Sequence, residues 1–461
     1  MTAPTDAPAY FFCAVGGSGM LPLALLMRAR GARVDGSDRD FDLGRGEAKQ
    51  AFLRGRGVGI FPQDGSGVTG ADGQVLVMST AVEAHVPDRV RARERGMQEV
   101  PRAALLSALF NDAAVPVAVA GTSGKSTITA MTGWILHATA QAPTILNGAV
   151  MIDFRTPDNP FASVVPGSGP QFVAEVDESD GSIAFYNPAV AVLANISVDH
   201  KPMAELEVLF GDYLGRAGTC VVNRDSPEVM ALAARLTGKP VVSWSLHDPG
   251  ATVHARKAGD GWEVCLADGS FMPLVLKVFG DHNVSNALAA IATAEVLGIE
   301  RAAAIAAMAG FSGVARRMEP AGEARGVTVY DDFGHNPDKI GASLRALQPR
   351  HGRILTLFQP HGYGPLRLMG DELAAMYART LRSGDRLWLT KPVNRGGTVT
   401  ENTIAQEMPP RIGPQASFID ARETFVAEVA AVAQPGDAVV VMGARDDTLS
   451  DLARAVVAAL A

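Results

Sequence analysis

A glycine-rich segment with a lysine and four hydroxyl residues follows a short apolar run, Val115–Ala120. Its members are Gly121, Thr122, Ser123, Gly124, Lys125, Ser126 and Thr127. Such a turn, placed before a helix, lets backbone N–H groups approach phosphate oxygens. Lys125 would then reach the terminal phosphates and the Ser126 hydroxyl would ligate Mg²⁺. The pattern predicts a phosphate-binding loop, and a tight strand-to-helix turn with an incidental lysine is the alternative.

A second glycine-rich turn follows the first apolar run of the chain. Its residues are Gly16, Gly17, Ser18, Gly19 and Met20. About 20 residues further on, the next apolar run ends in Ser37 and Asp38, which is the layout of a Rossmann nucleotide site with an acidic residue for a ribose hydroxyl. Pro22 stands where the full pattern has its third glycine, so a purely structural glycine turn is the alternative.

Acidic residues and one histidine follow two later apolar runs. Glu175 lies in the segment AEVDESD, and His200 ends the segment NISVDH. Acidic groups at the carboxyl ends of parallel strands lie where such sheets bind ligands, and Mg²⁺ takes carboxylates together with nucleotide phosphates. We therefore predict Glu175 and His200 as metal ligands beside Ser126. For Asp180, in the same acidic segment, a solvated turn is the preferred interpretation.

Three further polar segments have the composition of helix caps or turns, and none indicates a function in isolation. Their notable members are His282, Asn283, Asn286, Arg317, Asp332 and His335.

Taken in order, these segments resemble those of the Mur ligase family, the ATP-dependent amide-forming enzymes of peptidoglycan precursor synthesis. The resemblance implies ATP and Mg²⁺ as cofactors. It also implies that residues 121–127 hold the phosphates, with Glu175 and His200 at the metal. By the same resemblance, His282, Asn283 and Asn286 lie at the adenine, Arg317 near the γ-phosphate, and Asp332 and His335 in a phosphate-facing turn. Lys125, Glu175, His200, Arg317 and Asp332 are the implied catalytic residues.

The N-terminal glycine turn, with Ser37 and Asp38, resembles the branch of the family that accepts UDP-N-acetylmuramate. That branch holds an L-alanine ligase and a ligase that recycles the tripeptide L-alanyl-γ-D-glutamyl-diaminopimelate. Where the alanine ligase has two arginines for the amino-acid carboxylate, this chain has Gly362 and Pro365. His335, His361, Arg367 and Arg445 are the remaining candidates for holding the amine substrate.

The elements that must position these residues are short apolar runs that alternate with helical stretches. Because runs of four to eight apolar residues indicate buried strands, the alternation predicts an α/β fold with largely parallel sheets. The runs comprise residues 11–15, 75–79, 115–120, 172–176, 190–196, 220–223, 327–331, 354–359, 386–390 and 438–442. We place domain boundaries near 112 and 318, where the α/β pattern restarts. The family resemblance then implies three domains: a Rossmann-like domain over 1–112 for the UDP substrate, a central P-loop ATPase domain over 113–318, and a Rossmann-like domain over 319–461 for the amine.

Composition narrows the class of protein further. The net charge is −8 and 47% of the 461 residues are hydrophobic, which suits a globular protein and argues against a surface that wraps nucleic acid. Three cysteines without short spacing argue against a disulfide framework or a cysteine-type zinc site. We expect a cytoplasmic protein with small-molecule substrates, and neither nucleic acid nor membrane as a partner. The oligomeric state is left open.

The resulting hypothesis is a ligase that joins UDP-N-acetylmuramate to L-alanine through an acyl phosphate. The recycled tripeptide or another amino acid is the alternative amine. A P-loop nucleotide switch would leave the first glycine turn unused, and an NAD-dependent dehydrogenase would leave the phosphate loop unexplained.

Overall fold

The computed structural model describes residues 7–80, 82–197, 201–393 and 401–461. Three sheets flanked by helices make up this part of the chain, and most neighbouring strands run parallel. Each of the ten apolar runs singled out in the sequence overlaps a strand. The prediction of an α/β fold with largely parallel sheets is therefore confirmed.

The first sheet is parallel throughout, with the strand order β3-β2-β1-β4-β5. Its strands are β1 Ala9–Cys13, β2 Arg33–Ser37, β3 Gly59–Phe61, β4 Val75–Met78 and β5 Glu99–Pro101. Its helices are α1 Met20–Ala29, α2 Arg39–Asp42, α3 Glu47–Gly55, α4 Pro87–Glu94 and α5 Arg102–Asn111. Because the strands are parallel, their carboxyl ends share one edge, and the first glycine turn lies at that edge after β1.

The second sheet has the order β15-β14-β13-β12-β11-β10-β6-β9-β7-β8 within the described ranges. Its strands are β6 Val115–Ala120, β7 Thr144–Leu146, β8 Val164–Val165, β9 Gln171–Glu175, β10 Val190–Leu193, β11 Thr219–Asn223, β12 Val241–Ser245, β13 Val253–Ala258, β14 Gly261–Cys265 and β15 Phe271–Leu274. Its helices are α6 Lys125–Ala138, α7 Met203–Arg216, α8 Pro227–Ala233, α9 Asp281–Val296 and α10 Arg301–Met308. Strand β6 pairs in parallel with β9 on one side and β10 on the other. The carboxyl ends of β9 and β10 therefore lie on either side of the phosphate loop.

The third sheet has the order β16-β17-β21-β18-β19-β20, parallel except for the β16–β17 hairpin. Its strands are β16 Glu319–Ala324, β17 Val327–Asp332, β18 Ile354–Phe358, β19 Arg386–Thr390, β20 Ala416–Ile419 and β21 Ala438–Met442. Its helices are α11 Pro337–Leu347, α12 Tyr363–Thr380, α13 Ile404–Glu407, α14 Pro409–Ile412, α15 Thr424–Val432 and α16 Leu449–Leu460.

The chain divides into two compact units. One contains residues 1–277 with 284–312, and the other contains 278–283 with 313–461. In the first unit, one buried apolar cluster runs from Phe12 and Leu106 of the first sheet region to Phe172 and Tyr213 of the second. The boundaries at 112 and 318 remain predictions. No helix of the described residues is long and apolar enough to cross a membrane, and the three cysteines are free thiols.

Phe110 at the end of α5 gives a test of how the first two sheets are held together. Its ring is fully buried and contacts the rings of Phe172 and Tyr186, with centroid distances of 5.7 and 5.1 Å. We expect Phe110→Ala to destabilise the first unit by about 3–5 kcal/mol, because it leaves a cavity between the sheets. The first transition in urea unfolding measures this.

Phe185→Ala is the matched control, since that ring is 54% exposed. It should change stability by no more than about 0.5 kcal/mol. Equal midpoints for the two variants would contradict a core shared by the two sheets.

Candidate active site

The phosphate loop joins β6 to α6 through two glycines in left-handed backbone conformations. Gly121 has φ of 130° and Gly124 has φ of 88°, so side chains are disfavoured at both positions. A Cβ on Gly121 would lie 3.1 Å from the backbone of Asn195, and one on Gly124 would lie 2.8 Å from Oδ1 of Asn286. The loop is therefore closely packed as well as conformationally restricted.

Residues that follow β10 hold this loop in place. The Ser123 N–H donates to Oδ1 of Asn195 at 2.9 Å, and Nδ2 of Asn195 donates back to the Ser123 carbonyl at 3.0 Å. The Thr122 hydroxyl donates to the Ser197 carbonyl at 3.1 Å and accepts from the Ser197 N–H at 3.0 Å. These reciprocal bonds use the side chains of the loop to fix its shape.

The Lys125 ammonium lies within hydrogen-bond distance of one carbonyl and one carboxylate. Nζ donates to the Gly121 carbonyl at 2.8 Å and to Oε2 of Glu178 at 3.1 Å. Burial alone would lower the pKa of Lys125, but the neighbouring carboxylates, Glu178 foremost, raise it above its ordinary value. Lys125 is therefore a cation at neutral pH, as the phosphate-loop interpretation requires.

The Ser126 hydroxyl and Glu175 meet directly beside the lysine. Ser126 Oγ donates to Oε2 of Glu175 at 2.8 Å, and the Gly148 N–H donates to the same oxygen at 3.0 Å. These two predicted metal ligands are thus brought together. The third, His200, lies outside the described residues. Within the described ranges, no group of three His, Cys, Asp or Glu side chains forms a metal site.

The first glycine turn begins with a left-handed residue, Ala14, with φ of 65°. The Gly17 N–H donates to the Ala14 carbonyl at 3.1 Å, and the Met20 N–H donates to the Gly17 carbonyl at 3.0 Å. Ser18 at the tip is exposed, and α1 starts at Met20. The predicted residues 16–20 therefore form one compact turn that leads into a helix.

Ser37 and Asp38, predicted at the ligand, have their side chains engaged in supporting this turn. Oδ2 of Asp38 accepts from the Gly16 N–H at 2.9 Å, and Oδ1 accepts from the Asp40 N–H at 2.9 Å. The Ser37 hydroxyl donates to Asp88, a fully buried carboxylate that also accepts from the Gly65 N–H at 3.0 Å. Burial raises the pKa of Asp88. The Asp38 side chain thus fixes the backbone of the glycine turn, and the Ser37 side chain is bound to the carboxylate that fixes the backbone at Gly65.

The start of α9 carries the three residues predicted for the adenine. In the second unit, Nδ2 of Asn283 donates to the Phe279 carbonyl at 2.8 Å, and burial lowers the pKa of His282. In the first unit, Asn286 lies against Gly124 of the phosphate loop.

Two consecutive arginines before β16 have different surroundings. The Arg316 guanidinium donates to the Gly443 carbonyl at 2.7 Å and lies 3.4 Å from Oδ1 of Asp331. Arg317, the predicted residue, has its guanidinium 4.6 Å from the centre of the Phe333 ring. Arg316 therefore belongs to the internal structure of the second unit, whereas Arg317 lies over the turn that follows β17.

Asp332 organises that turn. Its Oδ1 accepts from the Gly334 N–H at 2.6 Å, and its Oδ2 accepts from the Met318 N–H at 3.0 Å and from the Ser343 hydroxyl at 3.3 Å. Burial raises its pKa, although these donors and Arg317 act in the opposite direction. Asp332 thereby links the segment that carries Arg317 to the segment that carries His335.

His335 and His361, both predicted for the amine, lie together. Their ring centroids are 4.8 Å apart, and Nδ1 of His335 is 2.9 Å from the Phe333 carbonyl. Nε2 of His335 is 3.3 Å from the ammonium of Lys339 in α11. Burial, with Lys339 and His361 nearby, lowers the pKa of His335 well below its ordinary value, so this imidazole is neutral. The neutral ring donates from Nδ1 and accepts at Nε2.

Arg367 and Arg445, the other two candidates, are exposed. Gly362 and Pro365 form the start of α12, where proline is tolerated because first-turn N–H groups have no helical partner. Two helical positions correspond to about 200° of rotation, so Arg367 faces away from the side on which Pro365 lies. The assignment of Arg367 to the amine substrate stays a prediction.

Sequence reasoning missed several residues that contribute to these sites. They are Asp88, Glu178, Lys339 and Asn147, whose Nδ2 donates to the Ser126 carbonyl at 2.9 Å. Glu178 lies in the same acidic segment as Glu175, and Lys339 lies four residues after His335, so both were within reach of local pattern analysis. Asp88 and Asn147 have partners 51 and 21 residues away, which no local pattern reveals.

Three models of Mur ligase domains match the chain. They are the Mur ligase family catalytic domain over residues 10–113, the Mur ligase middle domain over 119–294, and the Mur ligase glutamate ligase domain over 316–445. The chain therefore belongs to the Mur ligase family, as the motifs had predicted, and is an ATP-dependent amide ligase.

Curated relatives agree with this assignment, and solved structures share the fold. The UDP-N-acetylmuramate–L-alanine ligase of Agrobacterium fabrum is 33% identical, and the match covers 97% of this chain and 96% of the relative. The ligase of the same name from Clavibacter michiganensis is 36% identical over 82% of this chain and 78% of its own. The fold is similar to that of the UDP-N-acetylmuramate–alanine ligase of Thermotoga maritima, with a TM-score of 0.77, 23% identity, and coverage of 97% and 98%. A murein peptide ligase from Psychrobacter arcticus gives a TM-score of 0.72 at 24% identity, over 98% and 99% of the two chains.

Gly124 provides a test of the phosphate loop. We expect Gly124→Ala to raise the KM for ATP by about tenfold or more, since the added methyl meets Asn286 and the left-handed backbone resists a side chain. Steady-state kinetics with ATP as the varied substrate measures the effect.

Gly211→Ala is the matched control, because Gly211 is inside α7 and a Cβ there would have ordinary contact with Leu232 at 3.8 Å. It should leave the KM for ATP unchanged and stabilise the helix by up to about 1 kcal/mol. If Gly124→Ala matched this control in ATP kinetics, the loop would not be the phosphate site.

Proposed function

We propose that this enzyme joins the carboxyl group of UDP-N-acetylmuramate to the amino group of L-alanine with hydrolysis of ATP to ADP. The observation that carries the proposal is the geometry at the ends of β6 and β9, where Lys125, Ser126 and Glu175 converge on one loop. Relatives of this name that match over most of the chain support the choice of substrates.

The chemistry follows from the low reactivity of a carboxylate toward amines in neutral water. In the first step a carboxylate oxygen of the sugar nucleotide attacks the γ-phosphorus of ATP, and the bond to ADP breaks. The resulting acyl phosphate is then attacked at its carbonyl carbon by the neutral amine. Phosphate leaves, the nitrogen loses a proton, and an amide remains.

Phosphoryl transfer depends mainly on positioning and on neutralising charge. Lys125 is the cation proposed for the terminal phosphates, since its ammonium already lies against the loop and is charged. In the structure the Lys125 ammonium is paired with Glu178, so phosphate oxygens would replace Glu178 as the partner of the ammonium. Residues 121–124, together with Thr127 and Asn286, are proposed to line the nucleotide.

Mg²⁺ fits the residues beside the loop. The donors that meet there are a hydroxyl and a carboxylate, Ser126 and Glu175, and oxygen ligands of this kind are those that Mg²⁺ takes when nucleotide phosphates and water complete its shell. His200 is retained as a proposed third residue. When bound, the ion would neutralise charge on the phosphates and help to orient them.

The second unit supplies the remaining proposed roles. Arg317 and Asp332 are assigned to the γ-phosphate, and His282 and Asn283 to the adenine. His335 and His361 are assigned to the amine substrate. The support for this assignment is that the two rings lie together, with centroids 4.8 Å apart.

A tripeptide is the second candidate for the amine, and one observation favours it. The helix that begins at Tyr363 carries neither of the two arginines expected for an amino-acid carboxylate, and Arg367 faces away from that side. A peptide holds its terminal carboxylates farther from the reacting amine, so it would depend less on these arginines.

Glu175→Gln tests the metal. Loss of the negative charge should raise the Mg²⁺ concentration for half-maximal rate by about tenfold or more, because an amide is a weaker ligand than a carboxylate. The Mg²⁺ dependence of phosphate release at saturating ATP measures this. Asp177→Asn, an exposed carboxylate two residues along, is the control and should leave the titration unchanged. An unaltered titration in Glu175→Gln would remove this residue from the metal site.

The amine is tested by comparing kcat/KM for L-alanine and for L-alanyl-γ-D-glutamyl-diaminopimelate, with UDP-N-acetylmuramate and ATP saturating. We expect L-alanine to be preferred. A preference for the tripeptide of about tenfold or more, equal to about 1.4 kcal/mol of transition-state binding, would overturn the alanine assignment. ATP hydrolysis that needed no carboxylate acceptor would instead indicate a nucleotide switch.

A further inference from the structure

Arg102 lies at the carboxyl ends of the strands of the first sheet, the edge at which parallel α/β folds bind ligands. It is the first residue of α5 and directly follows Pro101, the last residue of β5. The glycine turn follows β1 at the same edge, and β4 lies between β1 and β5 in the order of this sheet. The long side chain of Arg102 is therefore able to reach the glycine turn across the end of β4.

The side chain does reach the turn, and it lies against Gly19. A Cβ on Gly19 would be 3.2 Å from Cδ of Arg102 and 3.4 Å from both Nε and Nη1. The backbone of Gly19 has φ of −91°, which any residue adopts, so its own conformation does not require glycine. The absence of a side chain at 19 instead leaves room for the guanidinium beside the start of α1.

The far end of the Arg102 guanidinium is paired with the Asp180 carboxylate, an anion that a ligand can displace. Nη2 of Arg102 donates to Oδ2 of Asp180 at 3.3 Å, and the two side chains are 24% and 27% exposed. Ion pairs that are partly exposed and this long contribute little to stability. Asp180 is otherwise fixed by its Oδ1, which accepts from the Ser182 N–H at 2.9 Å. A diphosphate, which carries two negative charges, is thus able to compete with Asp180 for Arg102.

We propose that Arg102 binds the diphosphate of the uridine nucleotide at the glycine turn, leaving Asp180 when the nucleotide arrives. The inference rests on the proposed function, with the sugar nucleotide at this turn as the sequence predicts. A guanidinium suits the task because its planar N–H groups form paired bonds with phosphate oxygens. Asp180 then serves as the anion that positions Arg102 before the nucleotide binds.

Binding of UDP and of uridine to the full-length protein separates recognition of the diphosphate from recognition of the nucleoside. In Arg102→Met, the Kd for UDP should rise by about tenfold, since charge-assisted bonds to phosphate are lost, while the Kd for uridine stays within about twofold. The Kd of Arg102→Lys for UDP should lie between the values for the unaltered protein and for Arg102→Met, because lysine keeps the charge and loses the paired geometry. Calorimetry serves for UDP and ligand-observed NMR for uridine.

Asp180→Asn is expected to act in the opposite direction. It removes the competing charge but keeps an oxygen that accepts from Ser182, so the Kd for UDP should fall by about two- to fivefold. If the Arg102–Asp180 ion pair had only a structural role, UDP binding would be weaker in both Arg102→Met and Asp180→Asn. Arg33→Met is the matched control, since Arg33 pairs with Asp72 at the amino end of β2 and should leave UDP binding unchanged.

Unchanged UDP binding in Arg102→Met, or equal losses for UDP and uridine, would overturn the role of Arg102 while leaving the proposed function intact. Failure of the unaltered protein to bind UDP would overturn the proposed function, and this inference with it.

Discussion

The arrangement of the phosphate loop depends on two carboxylates that follow one another closely along the chain. Glu175 ends β9 and binds the Ser126 hydroxyl, and Glu178, three residues later, binds the Lys125 ammonium. A buried ammonium is costly unless it is paired, so Glu178 keeps the lysine charged and ordered beside the loop. The parallel pairing of β6 with β9 places both carboxylates there. The positions of β10 and of Asn195 then fix the other side of the loop.

Much of this arrangement was predictable because its signals are local. Apolar runs of four to seven residues mark the strands, and the glycines with Lys125 mark the phosphate loop between β6 and α6. The eight-residue phosphate-loop pattern has a glycine where this chain has Val119. Val119 lies within β6, so the turn itself starts at Gly121 and needs no earlier glycine. The order of the motifs along the chain then identified the family, and the matches to three Mur ligase domain models confirmed it.

Other features were not predictable, because they depend on which distant segments meet. The predictions for Ser37 and Asp38 at the ligand stay predictions, but the contacts of their side chains with Asp88 and the Gly16 N–H join segments that are distant in the sequence. Arg102 sits in an ordinary helical stretch, and only the sheet order brings it to Gly19. The β13–β15 hairpins at the sheet edge carry charged and aromatic residues without long apolar runs, so the search for buried strands passed over them.

Backbone strain in the second unit is found on both sides of Arg317 and at Arg445. Arg316, Met318 and Arg445 have positive φ values of 58°, 54° and 62°, which side chains rarely adopt. Such conformations persist only where surrounding contacts enforce them, and they concentrate at functional sites. Here the Arg316 N–H donates to Glu319 at 3.0 Å and the Met318 N–H to Asp332 at 3.0 Å. Asp332 holds the strained backbone of Met318 and Glu319 holds that of Arg316, so two carboxylates fix the two neighbours of Arg317, whose guanidinium lies over Phe333. Under the proposed function, Asp332 would act on the reaction through the position of Arg317, since its own carboxylate accepts hydrogen bonds from Gly334, Met318 and Ser343.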